Sequence, residues 1–107
     1  MLFHSTRGGD KDKDFASILM QGLADDGGLF MPDHWPQVDL EKIKGLQSFV
    51  EVAKEIVPLF TASSFTQAET IKIVENTWHD FEHQDLVGIQ TIENISVLEL
   101  FHGPTAA

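Results

Sequence analysis

The 107-residue sequence contains no cysteine. A disulfide framework, an iron–sulfur cluster and a thiol nucleophile are therefore excluded, and the absence suits the cytosol. Cations are scarce, with Lys+Arg 7 against Asp+Glu 17 and a formal charge of −10. A nucleic-acid binder needs a basic stripe to displace counterions from phosphates, and seven dispersed cations on so acidic a chain do not supply one. An anionic membrane surface is disfavoured for the same reason. Long apolar runs are also missing: Phe15 to Met20 and Ile56 to Phe60 fall far short of the ~20 residues of a spanning helix. Met1-Leu2-Phe3 lacks the basic and apolar regions of an export signal. These absences point to a cytoplasmic chain with no nucleic-acid or membrane partner. What is present, 42% apolar residues and eight Phe, marks a globular chain of one small domain or part of a larger one. Such a chain is expected to bury roughly two-thirds of its unfolded surface.

Residues 2–6 read as a short strand because β-compatible types run into the breaker pair Gly8-Gly9. After the charged stretch Asp10 to Asp14, Phe15, Ile18, Leu19 and Leu23 recur at helical spacing behind Asp14 as a cap, with Gly27-Gly28 as the expected stop. Leu29 to Pro32 is a brief extended piece, since the residue before a proline avoids helical ψ. Leu40, Ile43 and Leu46 outline a short helix after Asp39. Ser48-Phe49-Val50-Glu51 and Thr66-Gln67-Ala68-Glu69 are capping boxes, in which hydroxyl and carboxylate satisfy backbone donors at a helix start. The first opens an apolar face of Phe49, Val52, Ala53, Ile56, Val57 and Phe60, with Pro58 expected to kink or end the helix. The second opens a stripe of Ile71, Val74, Trp78 and Phe81. From Val87 the pattern turns β-rich on both sides of Glu93-Asn94, which predicts a hairpin. Its second strand runs through Leu98, Leu100 and Phe101 into His102-Gly103-Pro104-Thr105 with nothing after it to cover the apolar residues. The chain therefore looks cut short.

Three segments invite chemical readings. Asp10-Lys11-Asp12-Lys13-Asp14 has the alternating acids of a calcium loop, but Phe15 occupies the position that must be glycine and Gln21 the bidentate position, so a solvated loop is expected. His79 and His83 share a helix face in the order H-x-x-E-H of inverted zinc peptidases. A zinc site would need a third ligand and a cleft, and polar residues at a helix end account for both. Ser5-Thr6-Arg7-Gly8-Gly9 combines hydroxyls, a guanidinium and glycines, all useful to an oxyanion; a plain turn carrying one surface arginine is the simpler reading. Asp25-Asp26-Gly27-Gly28 reads as a helix stop. Composition and spacing alone give a small acidic α+β domain.

Ser5-Thr6-Arg7-Gly8, the run Gly22 to Pro32, and Leu98-Glu99-Leu100-Phe101-His102-Gly103-Pro104-Thr105 together resemble, in order and spacing, the amino-terminal region of the threonine synthases. The resemblance spans essentially the whole chain. It implies a mainly helical α+β domain over residues 1–88, with about four helices and a small sheet, followed by a strand and turn over 89–107. That segment would lead into the catalytic domain of a fold-type II enzyme related to tryptophan synthase β. The family converts O-phospho-L-homoserine and water to L-threonine and phosphate with pyridoxal 5′-phosphate, a cofactor that acts as an electron sink. In the family the His-Gly-Pro-Thr segment runs on to Phe-Lys-Asp, whose lysine holds the cofactor; here the sequence ends at Ala106-Ala107, so the chain alone is expected to be inactive. By the resemblance His102, Gly103, Pro104 and Thr105 line the active site of the whole enzyme, and Arg7 meets the substrate phosphate or a domain interface. The implied partners are that substrate and the chain's own catalytic domain. The alternative is a free-standing acidic interaction module without lyase activity.

Overall fold

The computed structural model describes residues 1–78 and 87–100. Its elements in chain order are β1 (Phe3–Ser5), α1 (Phe15–Gln21), β2 (Phe30–Pro32), α2 (Leu40–Lys44), α3 (Phe49–Thr61), α4 (Gln67–Thr77), β3 (Gly88–Ile92) and β4 (Ile95–Glu99). The described residues thus form the expected small α+β unit. Strands β1 and β2 pair antiparallel with Phe3 opposite Pro32 and Ser5 opposite Phe30. Strands β3 and β4 form the expected hairpin, with Ile92 opposite Ile95 across Glu93-Asn94.

Helices α3 and α4 are an antiparallel pair. Both capping boxes are made: Ser48 accepts from Glu51 N–H and Thr66 from Glu69 N–H, and each glutamate returns a bond to its cap backbone. Side-chain contacts fix the register along the pair. The rings of Phe49 and Trp78 meet edge to face at 4.9 Å. The Lys54 ammonium reaches Glu75 at 2.6 Å, and the buried hydroxyls of Thr61 and Thr70 lie 2.9 Å apart. Of the two outcomes expected at Pro58, an end to α3 is not seen; the helix continues through Phe60 to Thr61. A proline removes one backbone donor and crowds the preceding turn. Here the helix runs on past it to Thr61, whose buried hydroxyl meets Thr70 of α4.

Helix α1 is attached to this pair through its amino terminus. Asp14 accepts from Ser17 N–H, while the hydroxyls of Ser63 and Ser64, in the α3–α4 connection, accept from Phe15 N–H and Ala16 N–H. Donors that a helix start leaves unpaired are thus met by a segment nearly fifty residues away. An aromatic chain from Phe3 through Phe15 to Phe65, with centroids 6.2 and 6.3 Å apart, joins β1, α1 and that connection. Helix α1 stops at Gly22 (φ 76°), whose N–H donates to Ile18 O, rather than at Gly27-Gly28. A left-handed φ costs glycine little, so the first available glycine ends the helix. Leu23 therefore lies beyond it, exposed, and Leu46 likewise lies beyond α2, which ends at Lys44. In α4, Thr70 and Val74 are the buried positions, Ile71 and Trp78 are half-buried, and Phe81 is outside the described residues.

The core is slight. Among the described residues the buried apolar side chains are Phe3, Ala24, Ala53 and Val74. Large apolar residues stand exposed on α1 and after it (Leu19, Met20, Leu23, Leu29) and on the hairpin (Ile89, Ile92, Ile95, Leu98, Leu100). No helix of the described residues is long and apolar enough to cross a membrane.

Candidate functional site

The two glycine-bearing segments of the amino-terminal half form one structure. β1 delivers Ser5 to its end, 2% exposed, and β2 returns the chain past it, so Ser5–Gly9 and Asp25–Gly28 lie face to face. Asp26 joins them. Its Oδ1 accepts from Ser5 Oγ at 2.6 Å and from Gly28 N–H at 2.9 Å, and its Oδ2 accepts from Gly9 N–H at 2.7 Å. The Ser5 hydroxyl, having given its proton to Asp26, accepts from Arg7 N–H at 3.1 Å. The Arg7 guanidinium reaches over the turn and donates through Nη1 to the Asp26 carbonyl at 3.0 Å. Thr6 closes the edge: its N–H donates to Leu29 O and its hydroxyl accepts from Leu29 N–H. A Cβ on Gly28 would collide with Ser5 Oγ and approach Asp26 Oδ1. Glycine is therefore dictated there by close approach, not by a helix end.

The hydroxyl of Ser5 and the N–H of Gly28 hold the Asp26 carboxyl below the ordinary carboxylate range; partial desolvation opposes them, and Gly9 and the Arg7 charge assist. Hydrogen bonds to the charged form favour that form. Asp10 is lowered too, chiefly by the backbone N–H of Asp25. The charged stretch keeps Lys11 and Asp12 exposed, as a solvated loop would, but is tied down at Asp10 and Lys13. Asp10 Oδ2 accepts from Asp25 N–H at 2.8 Å, and Lys13 exchanges two backbone bonds with Phe3, adding a short rung to the edge of β1.

Arg7, the sequence-predicted contact in this region, is exposed at the rim of this knot of hydrogen bonds around Asp26. His102, Gly103, Pro104 and Thr105 lie outside the described residues, as do His79 and His83. Sequence reasoning passed over Ser5 and Asp26 as a pair. The available signal was an acid set directly before two glycines, a pattern that suits a carboxylate collecting backbone N–H groups as well as it suits a helix stop. Pyridoxal phosphate does not fit the lysine-lined cavity of about 180 Å³ among Gln37, Val38, Asp39, Lys42, Ile43, Glu55 and Leu59, where the ammonium is bound to Glu55 at 2.5 Å.

Residues 2–78 match the family model described as the threonine synthase N terminus. The chain belongs to the threonine synthase family. It is 38% identical over 107 residues to a threonine synthase of Schizosaccharomyces pombe, covering 96% of this chain and 21% of that protein. It is 36% identical over 111 residues to a Xenopus laevis protein named threonine synthase-like 2, covering 100% of this chain and 24% of the relative. Among solved structures, the pyridoxal-phosphate-bound threonine synthase of Brucella melitensis superposes with a TM-score of 0.75 at 39% identity, over 95% of this chain and 23% of that one. The chain thus spans less than a quarter of the length of these threonine synthases, and the fold described above is that of their amino-terminal part.

Proposed function

We propose that the chain is the amino-terminal segment of a threonine synthase, in which residues 1–88 form the N-terminal domain and residues 89–107 lead into a catalytic domain of fold type II. The whole protein is a cytoplasmic carbon–oxygen lyase that uses pyridoxal 5′-phosphate to convert O-phospho-L-homoserine and water to L-threonine and phosphate. The 107 residues alone do not turn the substrate over, because the lysine that holds the cofactor in the family has no counterpart in them. The segment's own work is to pack against the catalytic domain and help close the site. His102, Gly103, Pro104 and Thr105 line that site: the glycine permits close backbone approach, the proline fixes the loop, and the threonine hydroxyl faces ligand. Arg7 supplies a guanidinium to the substrate's phosphate monoester.

The observation that carries this reading is the likeness, across nearly the whole chain, to a pyridoxal-phosphate-bound threonine synthase. Cofactor retention tests it. The 107-residue chain and the full reading frame that contains it are each incubated with pyridoxal phosphate, dialysed, and scanned in the visible region. Absorbance that survives in the longer protein alone is the expected result. Retention by the short chain, or loss from both, overturns the reading.

A further inference from the structure

Arg7 is the only arginine in the chain, and four of the six lysines are held in ion pairs. Lys13, Lys42, Lys44 and Lys54 each meet a carboxylate, on Asp10, Glu55, Glu41 and Glu75. Arg7 forms no such ion pair among the described residues; its guanidinium is tied by Nη1 to a neutral carbonyl oxygen. Its charge helps hold the Asp26 carboxyl low, yet no carboxylate oxygen bonds the guanidinium among the described residues.

One residue does the fixing, from three directions. On the amino-terminal side, Asp26 Oδ1 orients the Ser5 hydroxyl, which accepts from Arg7 N–H. On the carboxy-terminal side, Asp26 Oδ2 holds Gly9 N–H. The Asp26 carbonyl holds the guanidinium itself. The backbone is thus clamped on both flanks and the side chain at its tip, while the other guanidinium donors keep the fork that matches an oxyanion. Orientation before binding removes part of the ordering cost of a long side chain.

We infer that Asp26 and Ser5 are positioning residues that hold Arg7 ready for the phosphate group of the substrate. This rests on the reading of the chain as part of a threonine synthase. Asp26 touches no substrate; it acts through Arg7.

The test uses the full-length enzyme, with kcat and KM for O-phospho-L-homoserine and the competitive inhibition constant of inorganic phosphate. Arg7→Gln is expected to raise both KM and the phosphate inhibition constant roughly tenfold or more, the loss of one charge-assisted contact, with kcat changed less. Arg7→Lys, which keeps charge and loses the fork, falls between. Asp26→Asn, and the milder Ser5→Ala should Asp26→Asn fold poorly, are expected to reproduce most of the Arg7→Gln shift in both constants. Arg7→Gln with both constants unchanged overturns the inference, including the outcome in which Arg7 pairs instead with a carboxylate of the catalytic domain. A fall in kcat or folded yield with KM unchanged in both Asp26→Asn and Ser5→Ala leaves them merely structural and also overturns it. Absence of turnover by the unsubstituted full-length protein is a different result, and refutes the underlying family activity.

Discussion

Replacing Thr61 by valine removes the one partner that the Thr70 hydroxyl has among the described residues. The two residues are 4% and 2% exposed, and they border a cavity of about 250 Å³ whose other walls are Phe15, Leu19, Val57, Phe65 and Ile73. Thr61 Oγ1 donates back to Val57 O at 3.3 Å, so the proton between the two hydroxyls belongs to Thr70. Thr61→Val leaves that donor stranded among apolar side chains and is expected to cost about 2 kcal/mol, within the range for an unsatisfied buried polar group. Thr70→Val leaves Thr61 its bond to Val57 and costs about 1 kcal/mol. The double substitution replaces both partners by apolar groups of the same shape and is expected to be near neutral. The cycle therefore carries a coupling energy of about 3 kcal/mol, at the upper end for residues in direct contact. Urea denaturation of the four proteins, followed by circular dichroism, measures it, and the melting temperature of Thr61→Val should fall by roughly 10 °C. Two single substitutions whose costs simply add would refute the reasoning.

Three further outcomes are expected. Ser48→Ala and Thr66→Ala each remove an N-cap and should each cost about 1 kcal/mol, additively because the caps belong to separate helix starts; urea midpoints check both values and their sum. The Asp26 carboxyl is held low in the folded protein, so its contribution to stability is complete above the ordinary aspartate range and is lost as pH falls through that range toward the lowered value. Asp26→Asn should flatten the acid limb of the stability profile below the ordinary aspartate range, and an unaltered limb would count against the knot. Leu98 and Leu100, 53% and 76% exposed, give the 107-residue chain an uncovered apolar hairpin. It should bind a hydrophobic dye and self-associate in sedimentation, less so as Leu98→Lys, whereas a monomer that ignores the dye would contradict the exposure.

Local signals were the legible ones. Capping boxes at Ser48 and Thr66, the caps Asp14 and Asp39, and the hairpin across Glu93-Asn94 depend on residues within a few positions of one another, and short-range chemistry decides them. The extent of α3 was legible in part: the apolar face ran on to Phe60, while Pro58 within it is a breaker by itself. The candidate site was not. Asp26 meets Ser5 across 21 positions, and that meeting depends on β1 and β2 pairing, which two three-residue strands do not announce. Ser63 and Ser64 capping α1 from the far side of α3 is equally remote. Glycine misled in one place for a physical reason: Gly28 satisfies a close approach with the same residue type that ends helices, and Gly22 had already ended this one.

On the function proposed above, these residues are one part of a threonine synthase and do not carry out its reaction by themselves. Production of L-threonine and phosphate from O-phospho-L-homoserine, with pyridoxal phosphate supplied, is measured side by side for the 107-residue chain and for the full reading frame. Turnover by the longer protein and none by the shorter is the expected result. Threonine formed by the 107-residue chain unaided, or by neither protein, would contradict it.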